Sequence, residues 1–367
     1  MSAPLHVVHG VLTLDVGGLE RIVLSLAREG RLRGHRVSIV CVEAPGQLAD
    51  EVKAAGAEVV ALGKPPGRLP AYIQKAKSLF DQLTPDVIHT HQIGAAWYLG
   101  RAAKSAGLPV LHTEHGNEFA RTRGLLEALK VRLFLRQAAK SVDRFCCVSD
   151  EIAAAVSRWR TVPRAKVEVV PNGIPIETSE PLRPAAAVRA ALGIPDGAAV
   201  VGTVGRLAEV KRQDLLVRAV ATLPGVHAVV VGDGDRRGLL EGLARQLGAA
   251  DRVHCVGYQS RPEQYLQVMD VFALTSRSEG FPVSLLEAWR AGVPAVCTAV
   301  GGIPRVVTPG TDGILIPAGD ATALAAELGR LLADEPLRKR LALAGNAAVR
   351  ERYSLERMAS EYERRYR

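Results

Sequence analysis

Two carboxylates, Glu279 and Glu287, stand eight residues apart in the stretch Arg277-Ser278-Glu279-Gly280-Phe281-Pro282-Val283-Ser284-Leu285-Leu286-Glu287. An apolar run, Val271 to Leu274, precedes it, Gly280 and Pro282 break any regular pattern, and Val283 to Ala291 reads as helix. Glu279 is therefore expected on a loop after a strand, and Glu287 inside the next helix. Loops at the carboxyl ends of parallel strands are where open α/β sheets bind ligands. Carboxylates on either side of such a turn can accept hydrogen bonds from the hydroxyls of one polar ligand. An exposed loop acid followed by a helix-surface acid would show the same spacing.

Further candidates lie at other strand ends. Arg206 and Lys211 flank the loop after the apolar run Ala199 to Val204. An Arg and a Lys there can neutralise a departing diphosphate without a metal, or they are two solvated bases. Gly301-Gly302 before a short helix at Ile303 offers backbone N–H donors for the same phosphates. Gly17-Gly18 opens the first helix after the first strand. Paired glycines let the backbone approach an anion or a bound substrate closely, but the spacing is not GxGxxG, so the dinucleotide fingerprint is absent.

His89, His91, His112, Glu114 and His115 invite a metal reading, yet their spacing fits neither HExxH nor a Cys/His finger. No metal site is expected. His115, before Gly116, is the member of interest, because a neutral imidazole can donate to a sugar hydroxyl. His6 and His9 read as ordinary strand-end residues. Asp233-Gly234-Asp235 is formally a DxD. A tight turn explains its glycine, and acids suit the start of the following helix.

These residues need a scaffold of alternating strands and helices. The pattern runs from Leu5 to Val170, with helices at Ala71–Leu83 and Gly94–Ala106 and a long basic helix ending near Ala139. Ser149 reads as a helix cap. Residues 177–197 hold prolines, a short Ala-rich piece and no strand pattern; from Ala199 the rhythm restarts and runs to Ile316, and everything after Ala321 reads as mostly helical. Strands separated by helices imply crossover units and parallel sheets. Two α/β domains, residues 1–176 and 177–350, with a helical tail at 351–367, are expected, facing each other across a cleft.

Composition agrees with a chain of 367 residues, 48% hydrophobic, which suits two domains. Aromatics are 4%, too few for a stacking surface on single strands, and a nucleic-acid partner is not expected. The net charge of +9 is partly local, in Arg121, Arg123, Lys130, Arg132, Arg136, Lys140 and Arg144. With Leu126, Leu129, Leu133 and Phe134 this segment reads as either a face for an anionic membrane or a buried helix. Five cysteines without a CxxC pair read as reduced thiols in a cytosolic protein. No apolar run is long enough for a membrane span, and no signal peptide is evident.

Together these stretches resemble the retaining GT-B glycosyltransferases of family 4. Gly17-Gly18-Leu19-Glu20 is similar to the family's N-terminal glycine loop, Glu114-His115-Gly116 to the segment of its active-site histidine, and Pro171-Asn172-Gly173-Ile174 to the end of its first domain. Gly205-Arg206 with Lys211, Gly232-Asp233-Gly234 and Glu279-Gly280-Phe281-Pro282 through Glu287 are similar to its donor half. The resemblance implies two Rossmann-like domains and a final helix crossing back to the first. It implies that Glu287 binds the ribose, that Glu279 faces the donor sugar, that Gly280, Phe281 and Pro282 between them also bind the donor, and that Arg206 and Lys211 hold the diphosphate. His115 would contact the sugar near the reacting carbon, and Gly17 and Gly18 would lie under the diphosphate and acceptor. It further implies a nucleotide-sugar donor, no metal or other cofactor, and, from the Glu-His-Gly form with the basic helix behind it, a lipid-linked or polysaccharide acceptor at the inner face of the cell membrane. The chain departs from the family at Arg305, where an acid often follows Gly-Gly-x-Pro. A non-catalytic sugar- or lipid-binding module of the same fold, or another nucleotide-sugar enzyme such as an epimerase, are the alternatives.

Overall fold

A computed structural model of the chain describes residues 3–116, 124–177 and 181–367. It divides into two compact units, Met1–Gly173 with Leu355–Arg367, and Ile174–Ser354. Arg121 and Arg123 of the basic segment lie outside the described residues.

The first unit alternates β1 (His6–Val11), α1 (Gly18–Leu32), β2 (Arg36–Cys41), α2 (Ala49–Ala54), β3 (Glu58–Ala61), α3 (Ala71–Leu83) and β4 (Val87–Thr90). After β4 come α4 (Ile93–Ala95), a π-helical turn at Ala96–Gly100 and α5 (Arg101–Ser105), so the helix expected at 94–106 is one rod with a widened middle. β5 (Val110–Glu114), α6 (Leu125–Ala139), β6 (Arg144–Cys147), α7 (Asp150–Arg158) and β7 (Val167–Val169) complete the alternation. Ser149 does cap α7, its hydroxyl accepting from the Ile152 N–H. All seven strands are parallel in the order β3-β2-β1-β4-β5-β6-β7. A parallel sheet covered on both faces demands near-continuous apolar strands, and β1, β4 and β5 are buried at every position.

The second unit starts with α8 (Ala185–Ala191), the Ala-rich piece of the proline-bearing segment. It continues through β8 (Val200–Val204), α9 (Asp214–Ala221), β9 (His227–Val231), α10 (Arg237–Gln246), β10 (Val253–Gly257), α11 (Glu263–Leu266) and β11 (Val271–Leu274). Then follow α12 (Val283–Arg290), β12 (Ala295–Thr298), α13 (Ile303–Val306), β13 (Ile314–Ile316), α14 (Ala321–Ala333) and α15 (Glu335–Arg352). Its six parallel strands run β10-β9-β8-β11-β12-β13. The core under this sheet is Val, Leu, Ile and Ala, among them Val201, Leu216, Val230, Ala273 and Leu328.

The chain then returns to the first unit as α16 (Leu355–Tyr366), packed on α1. Arg33, which caps the end of α1, reaches Ser360, Glu363 and the Glu356 carbonyl. The unit boundaries fall at 173/174 and 354/355, a few residues from the expected 176/177 and 350/351. The reason is local: Ile174 bridges Ser354 and its N–H donates to the Tyr353 carbonyl, which ties both connecting strands to the second unit.

Both sheets have a switch point where the strand order reverses, between β1 and β4 in the first and between β8 and β11 in the second. Ligands of doubly wound sheets bind outside the carboxyl ends of those strands. The loops leaving β1 and β4 carry Gly17-Gly18 and His91; those leaving β8 and β11 carry Arg206, Lys211 and Glu279.

Candidate active site

In the second unit the loops after β8 and β11 are stitched together by backbone and hydroxyl bonds. The Arg277 N–H donates to the Val210 carbonyl at 2.7 Å, and the Thr275 hydroxyl to the Lys211 carbonyl at 2.9 Å. Arg212, next to Lys211, takes a left-handed φ of 50° and grips Asp214 through two nitrogens at 2.9 and 3.0 Å. This turn aims Lys211 at Glu279, Nζ to Oε1 at 2.6 Å, with the carboxylate almost buried. The Ser276 hydroxyl donates to the same oxygen at 2.5 Å, and Ser276 is held in turn by the Thr298 hydroxyl on its carbonyl at 2.6 Å.

Gly301 presses on the backbone of Glu279. At φ 56° it has the left-handed conformation that favours glycine, and an added Cβ would collide with the Glu279 carbonyl oxygen. That carbonyl also accepts the Gly302 N–H at 3.0 Å. The expected phosphate donor at Gly302 is thus already committed, because its nearest acceptor is a peptide oxygen of the site itself. Arg305 is exposed on α13.

Arg206 is exposed, and its carbonyl rather than its guanidinium is fixed, by Gln213 Nε2 at 3.0 Å. Glu287 lies half-buried on α12, past the Gly280–Pro282 turn. Phe281 is buried against Tyr353, ring centroids 5.6 Å apart, so its ring shapes the turn from inside. The Gly-Asp-Gly at the end of β9 is a backbone crossing. Added Cβ atoms at Gly232 and Gly234 would strike the carbonyls of Gly205 and Leu207, and Asp233 is spent on the Gly234 N–H and Arg237. The turn explanation of that DxD matches this geometry.

In the first unit Gly17 caps α1 with extended backbone, and an added Cβ would run into the Glu20 carboxylate. Glu20 accepts from Gln92 Nε2 at 3.2 Å, and Gln92 Oε1 takes the Leu12 N–H at 2.6 Å, which ties the glycine loop to the end of β4. Gly18 has open space around it.

His115 follows β5. The residue is partly exposed while its Nδ1 is buried and has no partner among the described residues, and its Nε2 lies 3.2 Å from His91 Nδ1. His91 Nε2 in turn lies 2.9 Å from His9 Nδ1. Burial pushes His115 down to about 3 and His9 down to about 4, and holds His89 and His91 well below the usual range, so all four rings are neutral at neutral pH. His9 is therefore no ordinary strand-end residue, although His6 is one, bonded to the Leu83 carbonyl and Ser38.

Among the described residues His9, His89 and His91 have ligand atoms close enough to hold a metal. Both nitrogens of His89 are already engaged, Nδ1 with the Tyr366 hydroxyl at 2.7 Å and Nε2 with Thr113 at 2.8 Å. His112 sits apart, bonded to Thr90 at 2.9 Å and 3.7 Å from Glu114. The thiols are all free, and burial raises them, Cys41 and Cys146 to about 12, so they are unreactive.

Two doubly wound parallel sheets, with an acid–base pair at one switch point and an imidazole row at the other, have the architecture of the GT-B class. The family described as Glycosyltransferase Family 4 matches residues 16–178, and the one described as Glycosyl transferases group 1 matches residues 185–347. The D-inositol 3-phosphate glycosyltransferase of Mycolicibacterium gilvum is 30% identical over 88% of this chain and 79% of its own length. That of Xylanimonas cellulosilytica is 31% identical over 92% and 88%. A glycosyltransferase from Rickettsia africae shares the fold with a TM-score of 0.86, 18% identity and coverage of 100% and 98%. Anabaena Alr3699/HepE in complex with UDP does so at 0.84, 22% identity and 99% of both chains. The chain belongs to the family 4, group 1 glycosyltransferases and is a glycosyltransferase that uses a nucleotide-sugar donor.

Proposed function

We propose that the chain transfers a sugar to an acceptor hydroxyl with retention of anomeric configuration, and that the acceptor is lipid-linked or a growing glycan. The observation that carries the donor half is the Lys211–Glu279 pair, set at a switch point and fixed by Ser276 and the Gly301–Gly302 backbone. In this reading Arg206 and Lys211 meet the charge that develops on the diphosphate, so no metal is needed for the transfer. Glu279 accepts from the donor sugar, Glu287 from the ribose, and His115 stands by the reacting carbon. The acceptor oxygen bonds to the anomeric carbon on the face the phosphate leaves, and its proton passes to the departing phosphate oxygen. Charge and protons balance without a separate base.

Calorimetric titration with UDP, GDP and ADP, repeated on Glu287→Ala, tests the donor site. One preferred diphosphate, weakened by the substitution, supports it; folded protein that binds none of them overturns it. The Anabaena protein, solved with UDP and with UDP-glucose, makes the uridine nucleotide the first to try.

The observation favouring a lipid surface is α6. Leu125 and Leu126 are 85% and 80% exposed, Leu129 and Leu133 are also exposed, and Lys130 and Arg136 stand among them. Spacings of four place Leu125, Leu129 and Leu133 on one face. Phe134 does not belong to that face, since it stacks toward Trp97 at 6.5 Å. Partitioning into anionic vesicles is expected for the wild-type chain and its loss in Leu125→Ser/Leu126→Ser. Equal partitioning of both proteins counts against the surface. The curated relatives' name favours a second acceptor, a phosphorylated cyclitol, and an assay offering both acceptors to the same donor separates the two.

A further inference from the structure

Three imidazoles of the first unit stand in single file across neighbouring strands. His9 on β1 meets His91 at the end of β4, Nδ1 to Nε2 at 2.9 Å, and His91 meets His115 beyond β5, Nδ1 to Nε2 at 3.2 Å. A neutral imidazole carries one N–H and one lone pair. Each link needs one hydrogen, and each link joins Nδ1 of one ring to Nε2 of the next. A hydrogen on Nδ1 of His91 therefore forces Nε2 of His115 to accept and leaves His115 its own hydrogen on Nδ1. The same step applied at His9 gives two states only: all three rings protonated on Nδ1, or all three on Nε2.

The two ends of the row differ. Nδ1 of His115 is buried and lacks a partner among the described residues. His9 lines a cavity of about 20 Å³ together with Arg33, His35, Tyr362, Glu363 and Tyr366. That is room for about one water, which can donate or accept. Of the three rings only His115 is partly exposed, so its end is the one a ligand can complete once Nδ1 is uncovered, and the His9 end can adjust to either state.

We propose that His91 and His9 are positioning residues for His115, because the three rings change tautomer as one unit. His115 then presents Nδ1 to a ligand hydroxyl as donor in one state and as acceptor in the other, without a charge ever being buried. The concerted tautomer stands on geometry alone; its effect on turnover rests on the reading of His115 given above. A metal on His9, His89 and His91 is the competing use of the same atoms, and it would have to break the His9–His91 bond and one bond of His89.

The test uses the full chain labelled with 15N-histidine. Long-range proton–nitrogen spectra at neutral pH distinguish Nδ1–H from Nε2–H rings. The expected result is one tautomer shared by His9, His91 and His115, and displaced ring-nitrogen shifts of His115 in His91→Phe. His91→Gln, whose amide both donates and accepts, is expected to return them toward the wild-type values. Turnover is expected to fall about tenfold or more in His91→Phe, with donor KM nearly unchanged, and to recover in part in His91→Gln. Tautomers that differ among the three rings of the wild-type chain overturn the proposal, as do His115 shifts indifferent to His91→Phe. So does a Zn²⁺ titration that moves the nitrogens of His9, His89 and His91 together. The wild-type spectrum decides even where a variant does not fold. Turnover lost in His115→Ala but kept in His91→Phe removes the positioning role. Turnover kept in His115→Ala overturns the reading of His115 at the sugar and leaves the shared tautomer standing.

Discussion

Lys211 has two tasks that pull on the same atom. Its Nζ lies 2.6 Å from Glu279, and it is the base proposed to meet the diphosphate. Lys211→Ala removes the second task and leaves an almost buried carboxylate with Ser276 as its remaining side-chain partner. Turnover is expected to fall at least about tenfold, a loss of about 1.4 kcal/mol or more in the transition state. Steady-state kinetics check it, and kinetics equal to the wild type would remove Lys211 from the site. Both residues were legible because strand, loop and helix each left a pattern around them. Ser276, Thr298 and Gln213 were not, since a hydroxyl or amide at a strand end looks like any other loop residue until its partner is seen. His9 was misread for the same reason: its partner is 82 residues away in sequence.

Helices declare themselves by period, yet what a helix packs against is hidden in single small residues. Trp289 on α12 is fully buried, and an added Cβ at Gly345 on α15 would enter its indole ring. Gly329 on α14 differs, since its Cβ would sit 3.6 Å from Leu223, an ordinary contact. Alanine at either position gains about 1 kcal/mol of helix propensity. At Gly345 overpacking costs about 1–3 kcal/mol, which cancels or exceeds that gain. Gly345→Ala is therefore expected to lower the urea midpoint, and Gly329→Ala to raise it by up to about 1 kcal/mol in stability. A midpoint raised by Gly345→Ala would show that the indole moves aside freely. From the sequence, both glycines are merely breaks in a helical pattern. The π turn at Ala96–Gly100 was equally invisible, because one extra residue per turn barely changes the apolar spacing over a single turn.

At the scale of the chain the restart of the strand rhythm at Ala199 gave away two sheets, whereas the return of the last helix was implied only by the family resemblance. Its cause lies in long-range pairs that no local pattern encodes: Tyr366 meets His89, and Tyr362 accepts from Thr113. The same pairs close the first unit over four neutral histidines, and this sets a pH dependence. Free histidine titrates near about 6.5, while burial holds His9 at about 4 and His115 at about 3. Between those values the unfolded chain binds more protons than the folded one, so stability falls as pH falls. The contribution is complete above about pH 6.5 and is lost progressively on the way down to the folded values, at about 1.4 kcal/mol per pH unit for each ring. Carboxylates titrate lower, so the loss between pH 7 and pH 5 belongs mainly to the histidines. Urea unfolding at pH 7.5 and pH 5.5 is expected to show a drop of at least about 2 kcal/mol, and a smaller drop in His9→Gln. Equal midpoints at the two pH values would mean that water or a charge partner reaches these rings, and the neutral imidazole row would lose its basis.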